Sequence, residues 1–205
     1  EVTPGIPPNW LDKKQAPDTA IKPPGTTHIS IIDTDGNIIS MTSTIEQAFG
    51  SRVMTSGFLL NNELTDFSFI PEKNGWAVAN RVEGGKRPRS SMAPTIVFYP
   101  DGSPYLIIGS AGGSRIIGYV LKSLIHIIDW SSSIDAALTS PHFLSRGRDI
   151  EMEMGLEAFH EELESLGHPI KTGPMNSGLT AIKIDQNGRI SGSADPRREG
   201  KPDGR

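Results

Sequence analysis

Residues 23–32 read Pro-Pro-Gly-Thr-Thr-His-Ile-Ser-Ile-Ile, and at this point a proline-rich stretch gives way to an alternating strand pattern. The 25 residues that end at Gly25 contain six prolines and few apolar side chains. Such a composition is typical of a linker or of the end of a preceding segment. We therefore predict a linker or segment end over residues 1–25 and a folded domain over residues 26–205.

The junction between Gly25 and Thr26 also has the residue types of a site where the chain could cut itself. A cut between the two residues would leave Thr26 with both a hydroxyl group and a free α-amine. An α-amine has a pKa of roughly 7.7–8.0, so it can act as a base near neutrality, and threonine activated by its own N-terminal amine is a known nucleophile. A simple turn before a strand is the alternative interpretation, because Pro and Gly favour turns.

The bulk composition excludes several classes of function. The chain has 205 residues and a net charge of −4, without a run of five like charges, which argues against binding to nucleic acids or anionic membranes. It contains no cysteine, which excludes disulfides, thiolate metal sites and cysteine nucleophiles. Its five histidines are scattered, so we predict no metal site, and no apolar stretch approaches the length of a membrane span.

The residue pattern predicts three hairpins and three helices. Each hairpin joins two alternating segments by a turn that contains Asp-Gly or Asn-Gly, and the predicted strand pairs are residues 28–33 with 38–44, 95–98 with 105–108, and 179–184 with 189–192. The spacing of apolar residues predicts helices over 114–130, 133–138 and 156–166. Strand pairs around helices indicate a mixed layered fold with antiparallel sheets. The mixed-charge residues 197–201 are interpreted as a frayed tail.

Five segments are unusually polar for a small domain: the Thr26 junction, Thr44-Ile45-Glu46, Asn61-Asn62-Glu63-Leu64-Thr65-Asp66-Phe67, Arg87-Pro88-Arg89-Ser90-Ser91-Met92, and Gly109-Ser110-Ala111-Gly112-Gly113-Ser114-Arg115. Taken together and in this order, they resemble the small subunit of the γ-glutamyltranspeptidase family over residues 26–205. Asp195-Pro196-Arg197 near the end of the chain also matches. Each segment alone is a weak signal, whereas the set is specific.

The resemblance implies an α+β fold, namely the four-layer αββα sandwich of the N-terminal nucleophile hydrolases. It implies a precursor that cuts itself between Gly25 and Thr26 into a large and a small subunit, which form a heterodimer. Residues 26–205 would be the small-subunit catalytic domain, and residues 1–25 a linker or the end of the large-subunit segment. The resemblance also implies a periplasmic or secreted protein that needs no cofactor.

For catalysis, the resemblance implies that Thr26 makes the cut and then serves as the nucleophile, and that the hydroxyl group of Thr44 orients it. Gly25 suits a cleavage site because it has no side chain to shield its carbonyl group. Gly112 and Gly113 match the oxyanion hole, where backbone N–H groups must point at a developing negative oxygen. A phosphate-binding loop is excluded because these glycines have neither the dinucleotide-binding nor the P-loop spacing.

For substrate binding, the resemblance implies that Glu46, Glu63 and Asp66 hold the α-ammonium group of a γ-glutamyl donor. A cation in a pocket needs carboxylates as charge-assisted acceptors, so these residue types suit the task. The resemblance further implies that Ser90 and Ser91 bind the α-carboxylate of the donor through their hydroxyl and backbone N–H groups.

The implied function is γ-glutamyl acyl transfer from small-molecule donors such as glutathione to water, an amino acid or a peptide. Two other enzymes on this scaffold stay open as alternatives, a glutaryl-cephalosporin acylase and a poly-γ-glutamate depolymerase. The three acidic residues favour a donor with a free α-ammonium group over a glutaryl group. Outside enzymes, the alternative is an inactive binding module that never matures.

Overall fold

The computed structural model describes residues 25–147 and 149–204, so the predicted linker lies outside the described residues except for Gly25. The strands in this part of the chain are β1 (Thr26–Ile32), β2 (Ile38–Thr44), β3 (Met54–Thr55), β4 (Phe58–Leu59), β5 (Glu72–Lys73), β6 (Trp76–Ala77), β7 (Thr95–Phe98), β8 (Pro104–Gly109), β9 (Phe143–Ser145), β10 (Ile150–Met152), β11 (Ile170–Thr172), β12 (Thr180–Ile184) and β13 (Ile190–Ala194). The α-helices are α1 (Ile116–Ile128), α2 (Ile134–Thr139) and α3 (His160–Ser165).

The hairpin that follows Gly25 forms as the sequence predicts. β1 and β2 are antiparallel, and their register places Thr26 opposite Thr44. The carboxylate of Asp33 closes the turn by accepting the backbone N–H groups of Asp35 and Asn37 at 2.9 and 2.8 Å. Because directly opposite residues of an antiparallel pair point to the same face, the two threonine side chains lie side by side.

A four-stranded antiparallel sheet of order β13-β12-β8-β7 lies at the centre of the molecule and confirms the other two predicted hairpins. Its strand β8 is buried on both faces: Leu106 and Ile108 join the core on the helix side, while Ile107 alternates to the opposite face. β1 and β2 pack against β8. The described residues therefore form three layers, in the order two-stranded sheet, four-stranded sheet and helices.

α1 and α2 form the helical layer. α1 buries Ile116, Val120 and Ile127, whose spacing predicts this helix. It is shorter than expected because the residues before it, Gly113–Arg115, form a 3₁₀ turn. α2 forms over almost its predicted range.

The cap of α2 and the shape of α3 follow from local residues. The hydroxyl group of Ser133 accepts the N–H of Ala136 at 3.1 Å, which satisfies one of the free donors at the start of α2. The helix predicted over 156–166 is a 3₁₀ turn at Glu157–Phe159 followed by α3.

The sequence pattern does not predict the three-stranded sheet of order β11-β10-β9. Each of its strands has three residues, too few for an alternation to stand out from the background. β10 is antiparallel to β9 and parallel to β11. Two further short hairpins, β3–β4 and β5–β6, lie in the long connection between β2 and β7.

The outer face of the β1–β2 hairpin is apolar and exposed. Its side chains Ile29, Ile31, Ile39 and Met41 are between 39% and 49% exposed. Within residues 25–147 and 149–204, no helix covers this face, so the described part of the chain contains three of the four layers that the αββα prediction requires. Its helices are also too short or too polar to cross a membrane.

The frayed tail predicted over residues 197–201 is wrong for its first two members. Arg197 donates two hydrogen bonds to the carboxylate of Glu153, at 2.8 and 2.6 Å, and one to Asp195 at 3.0 Å. Arg198 reaches back to the first residue of β1. A run of mixed charges is typical of a solvated tail, but here both arginines also have part-buried partners that are distant in the chain.

Candidate active site

Two threonine hydroxyl groups lie in contact at the start of the β1–β2 hairpin. The Oγ1 of Thr26 donates to the Oγ1 of Thr44 at 3.1 Å. Thr44 in turn donates to the carbonyl oxygen of Gly25 at 3.2 Å and accepts the N–H of Glu46 at 2.9 Å. One hydroxyl has one proton and two lone pairs, so Thr44 is fully satisfied by these three partners. The orientation of the Thr44 hydroxyl group is therefore fixed, and this group links the Thr26 hydroxyl to the carbonyl oxygen of Gly25.

Gly25 lies where any side chain would clash with the neighbouring backbone. A Cβ atom at this position would lie 2.4 Å from the carbonyl oxygen of Glu46 and 2.7 Å from the carbonyl group of Gln47. Both are backbone atoms, so they cannot move aside as a flexible side chain would. The sequence identifies Gly25 from the junction, and the packing gives the reason for glycine.

Glu46 is buried beside the two threonines. Its side chain is 6% exposed, and its carboxylate accepts the side-chain N–H of Asn62 at 2.9 Å. Its backbone has a φ of 71°, a left-handed conformation that is uncommon for residues other than glycine. Asn62 also accepts the N–H of Gln47 at 3.1 Å, so it holds both the side chain and the backbone of this turn.

The other two acidic candidates lie in the turn that follows Asn62. Glu63 and Asp66 are the first and last residues of a 3₁₀ turn, and both are half-buried. The side chain of Asn80 donates to the carbonyl oxygen of Asp66 at 2.6 Å and accepts the N–H of Arg89 at 2.9 Å. Asn80 therefore joins the acidic turn to the segment that contains the two predicted serines, a role that sequence reasoning missed.

Ser90 and Ser91 directly follow Arg89, the residue that bonds to Asn80. Ser90 is exposed, and its hydroxyl accepts the N–H of Met92 at 3.2 Å, which closes a local turn. Ser91 is half-buried. Among the hydrogen bonds of the described residues, none joins either serine to Thr26.

Gly112 and Gly113 form the bend between β8 and the helical layer. Their φ angles are 135° and 62°, which favour glycine. A Cβ atom on Gly112 would also lie 2.5 Å from the ring of Tyr119. The bend leads through a 3₁₀ turn into α1, so its N–H groups lie at the positive end of a helix.

Arg198 connects the two parts of the site. Its guanidinium donates to the carbonyl oxygens of Thr26 and Asn176, each at 3.1 Å. The Asn176 oxygen lies 3.7 Å from the Cβ position of Gly112. Sequence reasoning missed Arg198, because nothing in a short run of mixed charges indicates a partner 172 residues away in the chain.

His28 is a second polar residue whose role the sequence does not reveal. It is buried, its Nδ1 lies 2.7 Å from the hydroxyl of Thr42, and its ring lies so close to Gly109 that a Cβ there would be 2.1 Å from it. Burial lowers its pKa from 6.5 to about 4, so the imidazole is neutral at pH 7. It packs β1 on β8 without introducing a charge beside Thr26.

The arrangement is suited to acyl transfer. A threonine hydroxyl group lies beside a backbone carbonyl, glycine N–H groups lie on the neighbouring bend, and a buried carboxylate lies close by. Within the described residues, no cluster of three or more His, Asp or Glu side chains is arranged to hold a metal ion.

Known proteins of similar sequence match most of this chain. The family model described as gamma-glutamyltranspeptidase matches residues 4–204. A glutathione hydrolase proenzyme of Bacillus subtilis (strain 168) is 40% identical over 181 residues, which cover 85% of this chain and 30% of the relative. The chain thus spans less than a third of the length of this curated relative.

Solved structures superpose over most of the chain. An acivicin-inhibited gamma-glutamyltranspeptidase has a TM-score of 0.75 and 37% identity, over 85% of this chain and 100% of that one. The Bacillus anthracis transpeptidase enzyme CapD has a TM-score of 0.70 and 29% identity, over 87% and 99% of the two chains.

Proposed function

This chain belongs to the γ-glutamyltranspeptidase family, and we propose that residues 26–205 are the small-subunit catalytic domain of an enzyme that transfers γ-glutamyl groups. The donor is a γ-glutamyl amide such as glutathione, and the acceptor is water, an amino acid or a peptide. One observation carries the proposal: the hydroxyl group of Thr44 is bonded both to the Thr26 hydroxyl and to the Gly25 carbonyl. The Thr44 hydroxyl group therefore contacts both the proposed nucleophile and the carbonyl group of the bond to be cut.

Maturation begins when the Thr26 hydroxyl oxygen attacks the carbonyl carbon of Gly25. The C–N bond between the two residues breaks, the hydroxyl proton passes to the nitrogen, and an ester between Gly25 and Thr26 remains. Water then hydrolyses the ester to a Gly25 carboxylate and a free Thr26. The Thr44 hydroxyl donates to the carbonyl oxygen on which negative charge develops, so it stabilises the intermediate.

Turnover uses the amine that maturation releases. The α-amine of Thr26 takes the hydroxyl proton as Oγ1 attacks the γ-carbonyl of the donor, and it returns the proton to the leaving amine. A γ-glutamyl ester on Thr26 results, which water or an acceptor amine then attacks. We assign the N–H groups of Gly112 and Gly113 to the negative oxygen in both steps, because the start of α1 favours negative charge there.

We assign the binding of the donor's α-ammonium group to Glu46, Glu63 and Asp66. The buried carboxylate of Glu46 is held by Asn62 close to the nucleophile, which makes it the strongest of the three candidates. We assign the α-carboxylate to Ser90 and Ser91. Asn80 supports this division, since it joins the acidic turn to the serine segment. The two charges of one donor would then be bound by adjacent segments.

We also propose that a large subunit of the same precursor packs on the outer face of the β1–β2 hairpin. That face exposes four large apolar side chains, and the relative from Bacillus subtilis is more than three times as long as the matched segment. Burial of apolar surface is the main driving force for such association. The large subunit would then supply the fourth layer of the αββα sandwich. The family resemblance further leads us to propose a periplasmic or secreted location.

The test is the intact mass of the full-length protein during incubation, together with the variants Thr26→Ala and Thr26→Ser. We expect a new species that begins at Thr26 in the wild type, none in Thr26→Ala, and slower cleavage in Thr26→Ser, which keeps a hydroxyl. The cut protein should release p-nitroaniline faster from γ-glutamyl-p-nitroanilide than from the glutaryl compound, which lacks the α-ammonium group.

Two outcomes would replace this proposal. A wild-type protein that stays whole and turns over neither compound would favour a binding module that never matures. A cut protein that prefers the glutaryl compound would favour an acylase on the same scaffold.

A further inference from the structure

Arg198 joins two stretches of main chain that are far apart in the sequence. Its Nη1 group donates to the carbonyl oxygen of Thr26 at 3.1 Å, and its Nε donates to the carbonyl oxygen of Asn176 at 3.1 Å. Both acceptors are backbone atoms, whereas the partners of its neighbour Arg197 include the carboxylates of Glu153 and Asp195. Arg198 therefore fixes the position of main chain in two separate segments.

The aliphatic part of the Arg198 side chain is closely packed as well. Gly178 lies against it so closely that a Cβ atom there would be 2.7 Å from the Arg198 Cδ. The N–H of Gly178 donates to the hydroxyl of Ser110 at 3.2 Å, and its carbonyl accepts the N–H of Ala111 at 3.4 Å. The segment that Arg198 contacts is thus bonded to the residues that lead into Gly112.

We propose that Arg198 is a positioning residue that sets Thr26 at the correct distance from the Gly112–Gly113 bend. This inference rests on the proposed function. After the cut, Thr26 is a chain end and has lost the covalent anchor on its amino side. The orientation of its amine and hydroxyl then depends on the peptide plane between Thr26 and Thr27, whose carbonyl Arg198 holds.

The expected effect follows from the geometry of catalysis. A nucleophile displaced by about 1 Å costs on the order of 100-fold in rate, while the pocket that binds the substrate is unchanged. Loss of Arg198 should therefore lower kcat and leave KM nearly unchanged. Lysine at this position can keep one hydrogen bond but not two in the same plane, so it should restore activity only in part.

The experiment compares Arg198→Ala, Arg198→Lys and the control Arg189→Ala in the full-length protein. Arg189 is exposed at the tip of the β12–β13 hairpin, so its removal tests the loss of a surface arginine alone. For each variant we would measure the rate of the cut by intact mass, the melting temperature, and kcat and KM of the cut protein for γ-glutamyl-p-nitroanilide. Guanidinium ion would be added at concentrations that leave the melting temperature unchanged.

We expect kcat of Arg198→Ala to fall about 10- to 100-fold with KM within about twofold of the wild type. Added guanidinium should raise kcat of Arg198→Ala and leave Arg189→Ala unaffected, a response that general loss of stability would not give. Wild-type kcat in Arg198→Ala would overturn the inference while the proposed function stands, and so would a loss that neither lysine nor guanidinium restores. A wild-type protein without activity would remove the proposed function and this inference together.

Discussion

Two hydrogen-bonded clusters in this protein each place a hydroxyl group between other polar groups, yet they differ in access and in charge. The first is Thr26 with Thr44, half-buried and bonded to the Gly25 carbonyl. The second is Ser177 with His142 and Asp195, all three almost completely buried. The second cluster has the residue types of a serine hydrolase triad, but a substrate cannot reach it.

The hydrogen bonds explain why the buried serine is not a nucleophile. Ser177 donates its only proton to Asp195, and its oxygen lies 2.7 Å from the Nε2 of His142, which must then be the donor. The imidazole therefore cannot take the serine proton. Burial acts to raise the pKa of Asp195, but the nearby His142, the hydrogen bond from Ser177 and the charge of Arg197 lower it overall. This cluster stabilises a fixed charge, whereas the Thr26 cluster contains no ion pair.

Residue types alone do not make a catalytic site, because the site must also be open to substrate and contain a reactive group that is free to act. Thr26 is bonded to a hydroxyl and lies beside a carbonyl that can be attacked. Ser177 joins the start of the β9 segment to the end of β13, so its role is structural.

The largest effect is expected from removing the hydroxyl groups of Thr26 and Ser177 one at a time. Thr26→Ala removes the proposed nucleophile and should abolish both the cut and turnover, whereas Ser177→Ala should leave the folded fraction able to cut itself. Intact mass and p-nitroanilide release measure both. A Ser177→Ala protein that is stable but uncut would show that the buried cluster takes part in the chemistry.

A large loss of stability is expected when the buried charge network is broken. Asp195→Ala leaves Arg197 without one of its two carboxylate partners and should cost about 3–5 kcal/mol of unfolding free energy. Ser177→Ala should cost about 1–3 kcal/mol, since it leaves buried partners without a hydrogen bond. Urea unfolding gives both values, and a smaller cost for Asp195→Ala than for Ser177→Ala would contradict the assignment of the charge network.

A slower cut without loss of the fold is expected from Gly25→Ala. The added Cβ would meet the carbonyl oxygen of Glu46 at 2.4 Å, so the carbonyl to be attacked must move relative to Thr26. A displacement of about 1 Å corresponds to roughly a 100-fold slower cut. Gly84→Ala is the matched control, because nothing lies within 4 Å of its Cβ position. Equal cleavage rates in the two variants would mean that the junction tolerates the shift.

The smallest effect is a pH dependence of stability from His28. Its pKa is about 4 when folded and about 6.5 in the unfolded chain, so the unfolded chain binds more protons between these values and acid favours unfolding. The stability present above pH 6.5 should fall by about 1 kcal/mol on going from pH 7.5 to 5.5. His28→Gln, which does not titrate, should lose less over this range in urea unfolding. An identical loss in both proteins would assign the acid sensitivity to other groups.

Sequence reasoning predicted the parts of the fold that local chemistry controls. The three hairpins were set by Asp-Gly and Asn-Gly turns between alternating segments, and α1 by the spacing of its apolar residues. The strands of the β9–β11 sheet were missed because three residues do not form a readable pattern. In the candidate site, Gly25, Thr26, Thr44 and Glu46 are in contact, and the catalytic and binding roles of all the predicted residues remain proposals.

The sequence by itself determined the junction at Gly25, the threonine that follows it and the glycines before α1, because these depend on residue type and local spacing. Only the tertiary structure decided that Arg198 holds the first residue of β1 and that Arg197 joins a buried network. It also decided that the Ser177 cluster is closed to substrate. Contacts between segments that are 44 to 172 residues apart depend on how the sheets and helices pack, and a short run of mixed charges does not indicate that packing.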